Sequence, residues 1–165
     1  MTGFGYNVNG FGADYTRVEY YEATGGTITT DGDYKYHTFT GSGTFTISVA
    51  GNSAGGTIDY MVTAGGGGAG IDNSGGAGAG GMVRVTGATK SAAAYPIVIG
   101  AGGAGTTSNS GTGSQGADSS GLGSTATGGG HGSSWDSGCT GGNGGSGGGS
   151  CSNSGNNPGT GVSGQ

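Results

Sequence analysis

His131, Ser133 and Asp136 crowd together in HGSSWDSGC, with cysteines at positions 139 and 151. Histidine, serine and a carboxylate are the parts of a hydrolytic triad, in which the imidazole takes the hydroxyl proton and the carboxylate orients the imidazole. That chemistry needs a held geometry beside an oxyanion hole, and a glycine loop does not hold one. His131 and Asp136, with the tryptophan between them at position 135, therefore read as a candidate exposed binding loop. A histidine near two cysteines also raises zinc, but the spacing fits no usual ligand pattern. GAGAGG at residues 76–81 satisfies G-x-G-x-x-G and runs into the strand-like MVRV. A dinucleotide site needs a helix N-terminus beyond the glycines to hold the pyrophosphate. No G-x-x-x-x-G-K-[ST] stretch occurs, and no paired carboxylates form a recognisable site. The expectation is no catalytic residue, no cofactor, no metal and no enzymatic activity.

Two residues of this group keep two readings each. Trp135, the single tryptophan, is either an anchor for a receptor or sugar ring, as aromatics are at binding hot spots, or a side chain packed on glycine backbone. Cys139 and Cys151 are 12 positions apart. A disulfide there would contribute about 3 kcal/mol, whereas synthesis in a reducing cytoplasm favours free thiols.

What must position these residues is mostly glycine, 48 of 165. Only 12 of them precede residue 64 and 36 follow, while 11 of the 13 aromatics lie in the first stretch. The composition changes near Ala64, and three parts are expected: an aromatic-glycine arm at 1–16, a β-strand platform at 17–63 and a glycine-rich region at 64–165. The arm repeats GFGYN and NGFGA, and it is either a docking arm, with Phe4, Tyr6, Phe11 and Tyr15 as candidate attachment residues for a neighbouring subunit, or a frayed terminus. With four basic residues and a net charge of −5, nucleic acid and anionic membranes are poor partners. No apolar run is long enough to span a bilayer, and no secretory signal opens the chain.

The platform is legible in period two. Phe45, Ile47 and Val49 alternate with Thr44, Thr46 and Ser48, and Ile58, Tyr60 and Val62 repeat the pattern. Asp31-Gly32 predicts a hairpin. Residues from Arg17 onward are rich in β-branched and aromatic types, and further strands are expected at 81–87 and 95–100. No helical period is present, so the fold class is all-β with no significant α-helix.

The glycine runs can be linker, collagen-like triple helix or a bundle of polyproline II helices built from glycine. Collagen needs strict threefold glycine and abundant proline, and two prolines exclude it. Ordering 36 glycines costs roughly 18–36 kcal/mol more than ordering alanines. Only lateral hydrogen bonds and Cα–H···O contacts between packed segments offset that. Brief threefold spacing at Gly138, Gly141, Gly144 and Gly147 suits such packing. Loops within 106–120 and 131–140 are expected to face outward.

The ordered succession YKYHTFTGSGTFTISVAG, IDYMVTAGGGGAG, GAGAGGMVRV, YPIVIGAGGAG and STATGGGHG resembles the glycine-rich domain of bacteriophage tail fibres and related virion appendages. A more distant likeness is to the glycine-rich region of anaplastic lymphoma kinase. The resemblance implies a jelly-roll-like antiparallel β platform carrying a polyglycine II helix bundle. It also implies a structural virion component without enzymatic activity, made in the host cytoplasm and released by lysis. The expected partners are other virion proteins through the arm, a host surface receptor or glycan at the loops, and further copies of the chain; membrane insertion is not expected. NPGTGVSGQ brings no closing strands, so either the chain continues beyond it or the bundle stays open. The competing readings are an ice-binding polyglycine bundle, which would want regularly repeated Thr or Ala, and a glycan hydrolase, which lacks its carboxylates.

Overall fold

A computed structural model describes residues 17–108, 111–135, 138–152 and 157–165. The proposed attachment residues Phe4, Tyr6, Phe11 and Tyr15, and Asp136 of the proposed binding loop, lie outside the described residues. Nine strands run in chain order: β1 Glu22–Thr24, β2 Thr27–Asp31, β3 Tyr34–Thr38, β4 Gly43–Val49, β5 Ile58–Thr63, β6 Met82–Ala88, β7 Ala93–Ile97, β8 Ser119–Gly121 and β9 Ser124–Ala126. The protein is all-β, with small antiparallel sheets and no α-helix among the described residues.

β4 is central in the order β1-β4-β7, while β2-β3, β5-β6 and β8-β9 are hairpin pairs. The alternation in β4 does what its period dictates: Phe45 and Ile47 turn inward and are 8% and 2% exposed. His37 and Phe39 meet Phe45 edge-on, with ring centroids 5.0 and 6.4 Å away, a favoured aromatic geometry. In β5 the inward Ile58, Tyr60 and Val62 are half-buried and their neighbours exposed. The β2–β3 turn places Gly32 at φ 56°, the positive first central position of a type II′ hairpin. In the β8–β9 turn both central residues, Leu122 and Gly123, have positive φ, as a type I′ turn requires.

The strand expected from Arg17 starts only at Glu22, because the residues before it bond elsewhere. The Glu19 carbonyl accepts the Asn52 N–H at 3.0 Å. The Tyr21 hydroxyl accepts the Lys90 N–H at 2.9 Å and donates to the Lys90 carbonyl at 3.1 Å.

Beyond the strands the glycine segments pack side by side. Residues 64–70 show the rule. Ala64 and Gly67 donate to Gly81 and Gly78, and Gly65 and Gly68 donate to Ala117 and Ser114. The Gly65 and Gly68 carbonyls accept from Gly129 and Gly132, and those of Gly66 and Ala69 accept from Gly103 and Thr106. Every third residue thus bonds the same neighbour, which is the signature of a helix with three residues per turn. None of the glycines in these segments has positive φ, so the helices are left-handed. The same lattice takes in 75–81, 100–106, 111–118, 127–134, 139–145, 146–151 and 157–162. The bonds between segments run mostly from main chain to main chain, and side chains of Asp118, Ser119 and Gln165 take the N–H groups of Gly128, Gly100 and Thr127 at the base. The strands feed this bundle directly: the β5–β6 ladder ends at Thr63↔Met82, and the next bond, Ala64 N–H to the Gly81 carbonyl at 3.0 Å, already belongs to it.

Candidate functional site

The connectivity of the bundle brings the far ends of its described segments to one end. Residues 64–70 leave β5, and 75–81 return antiparallel to them into β6. Residues 100–106 run parallel to 64–70, and 111–118 come back to β8. Residues 127–134 leave β9 in the same direction, 139–145 return, 146–151 go out again and 157–162 return. Residues 71–74 and the segment ends at 106 and 111, 135 and 138, and 151 and 157 therefore lie at the end away from the sheets. A rise of about 3.1 Å per residue sets that end about 19 Å beyond the strands.

At this tip, Trp135 is 43% exposed and directly follows the fully buried Ser134. Its indole is presented by a segment that the lattice holds: the Gly132 N–H donates to the Gly68 carbonyl at 2.9 Å and the Ser133 N–H to the Gly149 carbonyl at 3.2 Å. Asp72 and Asn73 carry the first loop round with φ 60° and 48°, residue types that tolerate this region. Cys139 and Cys151 are joined as a disulfide with Cα atoms 4.8 Å apart, and both are buried. The bridge ties the first residue of one segment to the last of the next, so it closes a hairpin at the tip end.

The remaining residues singled out from the sequence separate. His131 lies inside the lattice rather than in a loop; it is half-buried, and its carbonyl accepts the Gly142 N–H at 2.9 Å. Its Nδ1 lies 3.4 Å from the Gly132 carbonyl oxygen. Ser133 is fully buried and its hydroxyl has no hydrogen-bond partner. No hydrogen bond joins the two, so nucleophile and base are not assembled. GAGAGG is one bundle segment leading into β6, with no helix N-terminus beyond it. Of the loops expected to face outward, residues 111–118 instead run back through the bundle. No group of His, Cys, Asp and Glu among the described residues forms a metal cluster.

A second feature has no sequence motif. Between β3 and β5 lies a cleft of about 520 Å³, walled by both strands and floored by Phe45, Ile97, Ile99 and Leu122. Leu122 is fixed there by its left-handed turn conformation, and its carbonyl accepts from Lys90 Nζ at 2.8 Å and from the Tyr60 hydroxyl at 3.3 Å. Among the described residues β3 and β5 each pair on one side only, a property that no sequence pattern announces.

A family model described as a glycine-rich domain matches residues 38–165, from the last residue of β3 onward. No curated protein and no solved structure matches.

Proposed function

We propose, from the premise that the chain belongs to the glycine-rich domain family, that it is a structural component of a phage virion, a tail fibre or similar appendage. In this reading the aromatic arm, with Phe4, Tyr6, Phe11 and Tyr15, attaches to other virion proteins. The platform sets the direction of the bundle. The bundle presents the tip loops and Trp135 to a receptor or glycan on the host surface. The protein has no catalytic task and works within the particle, in several copies.

The observation that carries the reading is a main-chain lattice whose described segments end together, with the 71–74 loop and the exposed Trp135, at the end away from the sheets. A lattice in which segment after segment is hydrogen-bonded laterally is stiff, and loops on rigid supports are where recognition residues concentrate. Trp135 adds an exposed aromatic of the type enriched at binding hot spots. The test is to purify particles and locate the chain by mass spectrometry and cryo-electron microscopy. The expected result is density for the bundle projecting outward with the tip distal. A chain absent from particles and recovered only in the soluble fraction overturns the reading.

A further inference from the structure

We propose that the cleft between β3 and β5 is a slot for an extended strand, filled by the segment Phe4–Val8 of a second copy of this chain. The proposal rests on the reading of the first sixteen residues as an attachment arm and names the arm's partner.

The walls are strand edges. Four consecutive residues of β3, Lys35 to Thr38, and all six of β5 line the cleft. A single sheet face would present only every second residue. Among the described residues β3 pairs only with β2, and β5 only with β6. Asp31↔Tyr34 closes a two-residue turn, so the bonded pairs fall at 31/34, 29/36 and 27/38. The main-chain groups of Lys35 and His37 then point away from β2, toward the cleft. Open edges on both sides of an apolar floor are what an added strand satisfies, with main-chain bonds on the walls and side chains below. The walls also carry half or more exposed apolar side chains, Tyr36 at 50% and Met61 at 60%.

The occupant follows from sequence and from where the described chain begins. Phe4, Tyr6 and Val8 alternate with Gly5 and Asn7, and no charge occurs before Asp14; this is a half-buried strand pattern. The chain leaves the platform at Arg17, whose carbonyl accepts from Asn52 Nδ2, beyond the end of β4. Tyr21 and Ala23 line the cleft, but none of residues 17–20 does. Traced back from Tyr21 the described chain thus leads out of the cleft to Arg17, so a second copy supplies the strand more directly than the chain's own N-terminus. One chain carrying both strand and slot makes a head-to-tail interface, which closes into a ring or extends into a filament.

The test uses the full chain in two variants, F4S/Y6S/V8S, which loses the strand pattern, and Met61→Lys, which puts a charge on the slot wall. Light scattering over a concentration series is expected to show assembly of the wild type and monomers for each variant alone. Mixed one to one, the variants regain a single functional junction and stop at a dimer. In the wild-type assembly, amides of residues 35–38 and 58–63 are expected to exchange at least about tenfold more slowly than in F4S/Y6S/V8S. Three results overturn the proposal. A wild-type monomer with fast exchange means that the slot is empty. A wild-type monomer with slow exchange that the triple variant loses means self-insertion. Assembly that survives both variants lies elsewhere. Circular dichroism matching the wild type verifies that each variant folds. Particle composition is read separately, so a chain missing from virions that still forms the mixed dimer sinks the virion reading and leaves this one standing.

Discussion

Gly129 stands where several bundle segments meet. Its N–H donates to the Gly65 carbonyl at 2.8 Å and its carbonyl accepts the Gly116 N–H at 2.9 Å. A Cβ added there would overlap the Gly78 carbonyl and lie 2.7 Å from the Gly67 nitrogen and 2.8 Å from the Ala79 carbonyl carbon. All three are backbone atoms that cannot rotate aside. Gly102 belongs to the same lattice but is exposed, and the nearest atom to a Cβ there is the Gly66 carbonyl oxygen at 3.7 Å. Neither residue has positive φ, so alanine meets no backbone penalty at either. Replacing glycine in a compatible conformation stabilises by about 0.4–1 kcal/mol, through the unfolded chain. That gain is common to Gly129→Ala and Gly102→Ala, and the difference between them is the overpacking cost, about 1–3 kcal/mol. At about 2–4 °C per kcal/mol for a chain of this size, Gly129→Ala should melt about 2–12 °C below Gly102→Ala. Gly102→Ala should equal or exceed the wild type. Calorimetry measures both. Equal melting temperatures for the two variants would refute a close-packed main-chain interior.

Three further outcomes are expected. Reducing the Cys139–Cys151 bridge, or replacing both cysteines by serine, removes about 3 kcal/mol, seen as a melting point lowered by about 6–12 °C; an unchanged melt under reductant would mean that the bridge does not constrain the unfolded chain. Trp135→Ala should change stability by no more than about 0.5 kcal/mol, and on the proposed virion reading it should abolish adsorption of particles to host cells, measured by free-particle counts. Doubling the 71–74 connection with Ser and Asn should cost only about 0.6 kcal/mol, whereas the same insertion between Gly129 and Gly130 breaks the threefold register and should prevent folding, as followed by soluble yield and circular dichroism.

The strands were legible where a side chain decides their face. Phe45, Ile47, Ile58, Tyr60 and Val62 alternate with polar neighbours, and Asp31-Gly32 marks its turn in two residues. The start of β1 was not legible, because Glu19 and Tyr21 are engaged by Asn52 and Lys90, which lie 33 and 69 residues away. Glycine content pointed to a packed bundle, but one glycine run looks like another. Which segments become neighbours is set by the strands that deliver them, and which segment ends share the tip follows from the alternation of outward and returning segments. The placement of His131 illustrates the limit. Its segment, TGGGHGSS, has the composition of a loop, and only the bonds from 142 and to 68 and 149 on either side make it part of the lattice. The cleft was hidden for a different reason: an unmet strand edge is a property of the assembled sheets and leaves no mark in β3 or β5 alone.

The bundle interior, built from peptide groups rather than side chains, also has a thermal consequence. Heat capacity rises on unfolding mainly because apolar surface meets water, and an average domain gains about 12–15 cal/mol/K per residue. Opening a lattice of glycine exposes chiefly amides, whose hydration lowers heat capacity. The stability curve of the projecting part should accordingly be flatter than that of a hydrophobic core of equal length. Apolar burial weakens on cooling, whereas amide-to-amide cohesion does not depend on it. A bundle made this way should keep its lateral bonds in cold water, where a core of leucine and valine would begin to loosen.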